Sequence, residues 1–552
     1  MKIHKLLLAG LFAFALTACS DDDPMPTPNP TPTPDNPVTP DDPVTPDDNI
    51  KSPTPTFGLS TQAMTINTSK TYQEMEGFGA SDCWLPNTIG TYWTSNRFDI
   101  AEALFAQTFD KDGNPRGIGL SMWRVNLGGG TAELGNQSGI TNVNNRAESY
   151  LTDGKYNWNK SAGQRYFMQQ AKNMGVEKYV LFSNTPLVQF TKNGLGRSSG
   201  GDKANLKEDC YDDFAEYMAE VAKHFTDEGY NIAAISPVNE PQYNWDGSDQ
   251  EGSPWQNSEI AQLARELDKS LSSRGLSNTE ILLAEAGDWT YLYDAGRNSG
   301  RDNQIYDFFT PSSANYVGDL AHVNNLLCGH SYWTHFEWDD MREVRRKAGN
   351  AAAQKGIRLW QTEWSMLDNA PEDVNYDAPD AEFQIAQYMS RVIHNDLTLA
   401  NCSSWSYWTS MSVERWSQRN RFELIKTTPT GGQYSDDFTT GGTVEITPNL
   451  WVLGNYSLFV RPGYKRVDIS HKESKNFFAT AYIAPDNSKV VVVVTNYDKN
   501  NGVLLNMSAP AGTKSVYRYT TTEAKNLQRD QFNVRDDVFV DPASVTTIVY
   551  NL

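Results

Sequence analysis

The sequence predicts an α/β protein, a (β/α)8 TIM barrel with a side-associated β-sandwich at its C-terminal end. Three observations carry that prediction. Between about Glu74 and Trp408, eight short strand-like runs alternate with longer stretches. Several of those stretches have helical periodicity, and the runs end in polar residues that a barrel gathers around one mouth. A doubly wound open sheet is the alternative arrangement of the same units.

Residues 1–19 carry Lys2 and Lys5, then "LLLAGLFAFALTA", then Cys19. The apolar stretch is too short to span a bilayer as a mature helix and reads as a signal peptide. "LTAC" resembles a bacterial lipobox, which implies cleavage before Cys19 and acylation of its thiol. The following "SDDD" resembles the surface-export tag of Bacteroidetes lipoproteins; an ordinary secretion signal is the alternative. Residues 20–57 form a tether, because Ser20 to Ile50 holds ten prolines, eight aspartates and no Lys or Arg. Such a chain cannot bury enough apolar surface to fold, and like charges stretch it. An exported, monomeric outer-membrane lipoprotein facing the cell surface is expected.

The barrel is assigned to residues 58–445. Its runs are "EMEGFGAS", "GLSMWRVNL", "EKYVLFSN", "IAAISPVNE", "EILLAEAG", "LLCGHSYW", "IRLWQTEW" and "CSSWSYW". They end in groups such as Asn126, Ser183, Glu240, Glu285, His330, Glu363 and Trp408. The clearest helices are "YDDFAEYMAEVAKHF", with Phe214, Met218, Val221 and Phe225 on one face, and "SEIAQLARELDKSL", with Ile260, Leu263, Leu267 and Leu271. In residues 446–552, "KNFFATAYIAP", "KVVVVVTNY", "KSVYRYTTT" and "VTTIVYNL" alternate, are rich in β-branched residues and read as antiparallel strands. "GLSTQAMTINTSKTYQEMEG", just before the barrel, also has strand character and is a candidate to join that sandwich.

Of the formal net charge of −21, the signal contributes +2 and the tether −8, leaving −15 on residues 51–552. An acidic body without a basic stripe repels phosphate backbones, so nucleic acid is not expected as a partner. The cysteines, Cys19, Cys83, Cys210, Cys328 and Cys402, show no CxxC or Cys/His ligand spacing. His330 and His335 lie five apart with no third ligand in view, which reads as local hydrogen bonding. "DGSDQEG" fails the EF-hand pattern and reads as a polar active-site loop. No metal and no cofactor are expected.

Glu240, in "SPVNEPQYNW", ends the fourth run, and Glu363, in "LWQTEWS", ends the seventh. Two carboxyl groups facing each other across a barrel mouth are the equipment for glycoside hydrolysis: one donates a proton to the leaving oxygen while the other attacks or activates water. Trp84, Trp245, Trp364, Trp405 and Trp408 sit at or just beyond strand ends. Flat rings suit the C–H face of a sugar, so a polysaccharide or oligosaccharide is the expected partner.

The motifs "EGFGAS", "RVNLGGG", "FSNTPLVQFTKNG", "SPVNEPQYNW", "HSYW", "QTEW", "WSYW" and "NLWVLGNYSLFVRPGYKRV" occur in an order that resembles family 30 glycoside hydrolases. The resemblance spans about residues 58–552. It implies a retaining double displacement with Glu240 as acid/base and Glu363 as nucleophile. By the same resemblance Arg124 holds the nucleophile ionised, Asn239 binds the sugar at the cleavage point and Tyr332 lies near the nucleophile; His330 is counted with them at the substrate. Related members carry two prolines and a Trp in the strand-three loop, where this chain has "NTPLVQF". The strand-two, strand-three and extended strand-four motifs look closest to the endo-β-1,6-galactanase branch. Asp82, Asn184 and Gln242 are candidates to meet an axial hydroxyl. A β-1,6-glucanase or glucuronoxylanase of the same fold, and a surface glycan-binding lipoprotein without turnover, are the alternatives; the intact set of Glu240, Glu363 and Arg124 favours an enzyme over a binder.

Overall fold

The computed structural model describes residues 50–367, 371, 373–416, 419 and 421–552. The expected signal, Cys19 and all of the tether before residue 50 lie outside the described residues. The tether boundary moves: residues 50–57 lie on the sandwich, where Ser52 Oγ donates to Asp536 and the Phe57 ring meets Phe539 edge-on at 5.8 Å. One aromatic in an otherwise polar stretch is enough to anchor its end.

The eight runs form one parallel sheet. Its strands are Gly77–Ser81, Met122–Asn126, Lys178–Phe182, Ile232–Ser236, a fifth in two pieces (Glu280–Ile281 and Leu283–Ala286), Leu326–His330, Arg358–Glu363 and Ser404–Tyr407. The eighth pairs in parallel with the first, Ser404 opposite Gly77. On the far side, the first piece of strand five pairs with strand four and the second with strand six. Leu282, between the pieces, donates its N–H to Ile235. Strand five thus joins its neighbours on both sides and closes the barrel, so the open-sheet alternative is excluded.

Side chains two apart on a strand share a face, and the inward faces stack in layers. The lower layer is apolar: Met122, Val180, Ala234, Leu282, Leu326, Cys328 and Trp360 form a buried cluster of their own. Two residues further along, the same inward positions carry Arg124, Ser236, His330 and Thr362, all buried. This change of character along strands two, four, six and seven sets the floor of the mouth.

The helix Tyr211–Asp227 buries Phe214, Met218, Val221 and Phe225, and Asn257–Ser273 buries Ile260, Leu263, Leu267 and Leu271. Each such side chain contributes about 1.5–3 kcal/mol relative to exposure. At the start of the second helix, Glu259 accepts the Gln256 N–H at 2.8 Å, satisfying an otherwise orphan donor. The helix Ala381–Thr398 is buried nearly all round because it also packs on the sandwich; Gln387 donates to Asn496 and Tyr497 donates to Gln387.

The sandwich has a seven-stranded antiparallel sheet in the order Thr65–Glu74, Lys465–Ser470, Phe477–Ile483, Lys489–Asn496, Ser544–Asn551, Ser515–Thr522 and Lys525–Phe532. A second, three-stranded sheet holds Gly58–Ala63, Asn501–Asn506 and Phe539–Val540. The segment before the barrel therefore supplies one strand to each sheet, and residues 58–74 belong to the sandwich. Between barrel and sandwich, Met411–Ser412, Ile425–Pro429 and Gly442–Ile446 form a further small sheet. No helix among the described residues is long and apolar enough to cross a membrane.

Candidate active site

Glu240 follows strand four and Glu363 ends strand seven; they are 9% and 5% exposed. One oxygen of each lies within 4.8 Å of the other and of a His330 ring nitrogen. That spacing belongs with the short separation of retaining enzymes, about 5 to 5.5 Å between carboxyls, not the about 6.5–9.5 Å of inverting ones.

Both oxygens of Glu363 are held. Arg124 Nη1 donates to Oε2 at 2.9 Å and the Tyr332 hydroxyl donates to Oε1 at 3.1 Å. The guanidinium lies 3.6 Å from the centre of the Phe182 ring and donates to Ser81 Oγ at 2.9 Å and Asn239 Oδ1 at 3.2 Å. Taking the Asn239 carbonyl leaves the amide nitrogen free to donate elsewhere. Burial raises the Glu363 carboxyl, against the pull of His330 and Arg124.

A third carboxylate sits underneath. Glu285 is wholly buried and accepts from Ser236 Oγ, Thr362 Oγ1 and His330 Nε2, with Arg124 Nη2 at 3.3 Å. Burial would push its carboxyl up, but Arg124 and then His330 outweigh it and hold it well below the usual range. His330 Nδ1 meets Glu240 Oε1 at 2.9 Å. Burial works against the imidazolium, yet Glu363, Glu240 and Glu285 together raise it to about 10. Glu240, His330 and Glu363 have the spacing of a cation site, but they do not fit one: both ring nitrogens are engaged by carboxylates and Glu363 already has Arg124.

Other expected residues divide between the mouth and the wall. Trp84, half-buried, meets Trp408 edge-on at 5.3 Å beside Cys83 and Phe182. Trp245, half-buried, donates Nε1–H to the Glu240 carbonyl at 3.2 Å and lies over Gly252, where a Cβ would come within 2.3 Å of the ring. Two of the tryptophans expected at the sugar are not there. Trp405 is fully buried and bonds to Asp396 on the helix Ala381–Thr398, because strand alternation turns it outward. Trp364 is 1% exposed, packed against His335 at 5.5 Å and Trp405 at 6.4 Å. His330 and Arg124, expected at the substrate, are 0% and 1% exposed and bind carboxylates, with no surface for a sugar. His335 meets Phe336 at 4.4 Å and Trp364 at 5.5 Å, and burial lowers its imidazole to about 3.

Gln242 is tied to the loops: its amide donates to the Arg301 carbonyl and accepts from the Gly287 N–H, with one N–H and one oxygen lone pair left over at 4% exposure. Asp82 and Asn184 each contact Asn126, at 2.8 and 3.3 Å, and Asp82 Oδ2 is buried without a partner among the described residues. Burial pushes the Asp82 carboxyl up to about 7. "DGSDQEG" is a clasp between loops. Asp249 accepts from Thr141 and Asn142, while buried Glu251 accepts from Gly129 N–H at 3.1 Å and Thr131 Oγ1 at 2.6 Å.

Sequence reasoning assigned no role to Glu285, Tyr243 or Trp333. For Glu285 the signal was a Glu closing an apolar run. Tyr243 meets Trp245 edge-on at 6.0 Å, and Trp333 is 50% exposed beside Tyr332. Glu240, Trp245, Glu285 and Trp333 all have positive φ, at 42°, 54°, 44° and 60°. Such conformations cost about 1–3 kcal/mol each and collect at functional sites, where the surroundings force them.

A closed parallel barrel whose C-terminal mouth presents two carboxylates at this spacing defines a glycoside hydrolase. More particularly, the chain belongs to O-glycosyl hydrolase family 30, whose sequence model matches residues 61–419. It is an O-glycosyl hydrolase of the retaining, double-displacement kind. Among its relatives are an endo-β-1,6-galactanase from Hypocrea rufa, 25% identical over 374 residues, covering 64% of this chain and 68% of that one, and a glucuronoxylanase from Bacillus subtilis, 24% identical over 353 residues, covering 62% and 67%. The crystal structure of a conserved exported protein from Bacteroides fragilis is similar with a TM-score of 0.82 and 31% identity, over 88% of this chain and 100% of that chain.

Proposed function

We propose that the protein cleaves β-1,6-linked galactan internally, with Glu363 as nucleophile and Glu240 as acid/base. The observation that carries the roles is the asymmetry of the pair: Arg124 and Tyr332 hold both oxygens of Glu363, while Glu240 has no guanidinium on it. A carboxylate so held is aimed, and Arg124 and His330 oppose the burial that raises it. In the first step a Glu363 oxygen attacks the anomeric carbon, the glycosidic C–O bond breaks and the Glu240 proton goes to the leaving oxygen. In the second, Glu240 takes a proton from water, the water oxygen attacks the anomeric carbon and the ester bond to Glu363 breaks.

The linkage is supported by the similarity to the endo-β-1,6-galactanase. Galactose carries an axial hydroxyl, and a site built to bond it rejects the epimer that leaves its own groups unpaired. Asp82 and Asn184, buried beside Asn126, are the candidates for those groups. Internal cleavage is supported by aromatic side chains on both sides of the carboxylates, Trp84 and Trp408 near strands one and eight, Trp245, Tyr243 and Trp333 near strands four and six. De-arabinosylated arabinogalactan, a β-1,6-glucan and a glucuronoxylan digested in parallel test the substrate. A ladder of β-1,6-galacto-oligosaccharides from the first alone is expected; faster release from glucan or xylan overturns the substrate and leaves the two glutamates in place.

The lipobox-like "LTAC" and the proline- and aspartate-rich segment support a surface lipoprotein, acylated at Cys19 and held off the membrane by the tether. More than one acyl chain is needed for stable anchoring. Cys19→Ala should leave the membrane fraction, and unchanged fractionation contradicts the anchor.

A further inference from the structure

The two carboxylates of the reaction have a companion that the chemistry above does not use. Glu285 is wholly buried on strand five, and His330 bridges it to Glu240, 2.9 Å from each. The same Nε2 lies 3.9 Å from Glu363 Oε2. The groups facing the imidazole are Glu240 from the strand-four turn, Glu285 from strand five and Glu363 from strand seven. Arg124 of strand two stands beyond Glu363 and Glu285. Tyr332 lies edge-on at 5.8 Å, and the Cys328 thiol accepts the Glu285 N–H at 3.3 Å.

Ionised carboxylates only accept, so once Glu240 has given up its proton a ring bonded to it and to Glu285 has to donate from both nitrogens, which only an imidazolium does. The charges then balance throughout the cycle. Before the bond breaks, Glu285 and Glu363 are negative, Arg124 and His330 positive, and Glu240 carries its proton. In the glycosyl-enzyme Glu363 is an uncharged ester and Glu240 is negative, so the cluster is neutral again. Uncompensated charge inside a protein costs several kcal/mol per ion, and here neither state carries any.

We propose that Glu285 is a positioning residue that fixes His330 as a cation, so that one buried imidazolium is counter-ion first to Glu363 and then to Glu240. This rests on the assignment of those two as the catalytic pair. Without Glu285, Arg124 alone balances Glu363, and His330 gains less by keeping its proton while Glu240 is protonated. Its ring would then keep Glu363 and Glu240 against burial but lose Glu285, and titrate below about 10. The glycosyl-enzyme suffers most, because ionised Glu240 loses its counter-charge.

The test uses the full chain with 15N-labelled histidine, the His330 signals being identified by their loss in His330→Gln. In the wild type both ring nitrogens should stay protonated from about pH 5 to 8, around the ordinary imidazole value. In Glu285→Gln, which keeps a hydrogen-bonding group of the same size, the ring should titrate below the wild-type value of about 10. Hydrolysis of an aryl glycoside by Glu285→Gln should fall about 10²-fold at the alkaline end. The ratio of variant to wild-type rate should climb as pH falls and His330 regains its proton, and Glu285→Asp should restore part of the loss. A neutral His330 in the wild type at pH 7 overturns the proposal by itself, even where Glu285→Gln fails to fold, and so does a rate ratio flat with pH. Failure of the catalytic-pair assignment is separate, because it shows as covalent trapping at a residue other than Glu363 whatever His330 does.

Discussion

The lower and upper inward layers of the barrel come from the same strands, two or three residues apart, yet do opposite work. Met122, Val180, Ala234, Leu282, Leu326, Cys328 and Trp360 exclude every ionisable group but a thiol, and their contribution is packing. Arg124, Ser236, Glu285, His330 and Thr362 hold three charges at zero or near-zero exposure. A charged layer at that depth persists only because each member is bonded to another. The comparison teaches that the dry lower layer is a condition of the upper one: it keeps water from beneath Glu285, so Arg124 and His330 act on the carboxylates in a low-dielectric space.

The largest effects should come from the pair itself. Glu363→Ala should lose at least about 10⁴-fold in kcat with an unchanged melting curve. Glu240→Ala should do the same for poor leaving groups, yet still form the glycosyl-enzyme from an activated aryl glycoside and be rescued by azide to the β-azide. Rates within tenfold of wild type would remove either residue from its role.

Breaking the upper layer should differ in kind from breaking the lower. Arg124→Met leaves Glu285 and Glu363 without their guanidinium and should destabilise the fold by about 3–5 kcal/mol. It should also move the acid limb of the pH–rate profile to higher pH: losing a cation raises the Glu363 carboxyl further, and activity needs it ionised. Leu326→Ala should cost about 2–5 kcal/mol as a cavity and leave that limb where it is. A shift of equal size in both variants would erase the distinction between the layers.

The clasp at Glu251 sharpens the same point with a carboxyl that has no cation. Burial raises it from 4.5 to about 7, against the bonds from Thr131 and Gly129. The native state therefore prefers the proton: the stabilisation is complete below pH 4.5 and is lost as pH rises through about 7. Glu251→Gln keeps the acceptor and should flatten this dependence, so the wild type should lose about 3 kcal/mol relative to the variant across the window. Urea unfolding of both at either end measures it, and parallel curves would contradict the burial argument. The smallest effect is expected at Trp333, where Ala should raise KM for a polymer several-fold, about 1 kcal/mol, and leave a glycosyl fluoride, which has no leaving sugar, unaffected.

Much of this was legible in the chain. Strands buried on both faces read as continuous apolar runs, so all eight appear in order, and "NEP" and "QTEW" place the two glutamates. The break at Leu282 did not show, because a strand in two pieces has the composition of one. The helix Ala381–Thr398 hides its period by being buried all round, and the sheet over 411–446 is too poor in alternating apolar residues to announce itself. Trp405 misled for a simpler reason: nearness to a strand end does not say which way alternation points the ring. Glu285 was visible as the end of "EILLAE", but only its neighbours in space, His330 and Arg124, give it a role.

The most direct test is covalent. An activated 2-deoxy-2-fluorogalactoside slows the second step more than the first and lets the glycosyl-enzyme accumulate. Intact mass should rise by one sugar, and peptide mapping should place that sugar on Glu363 in "LWQTEWS". A label on Glu240 or Glu285, or turnover with no label at any residue, would contradict the account.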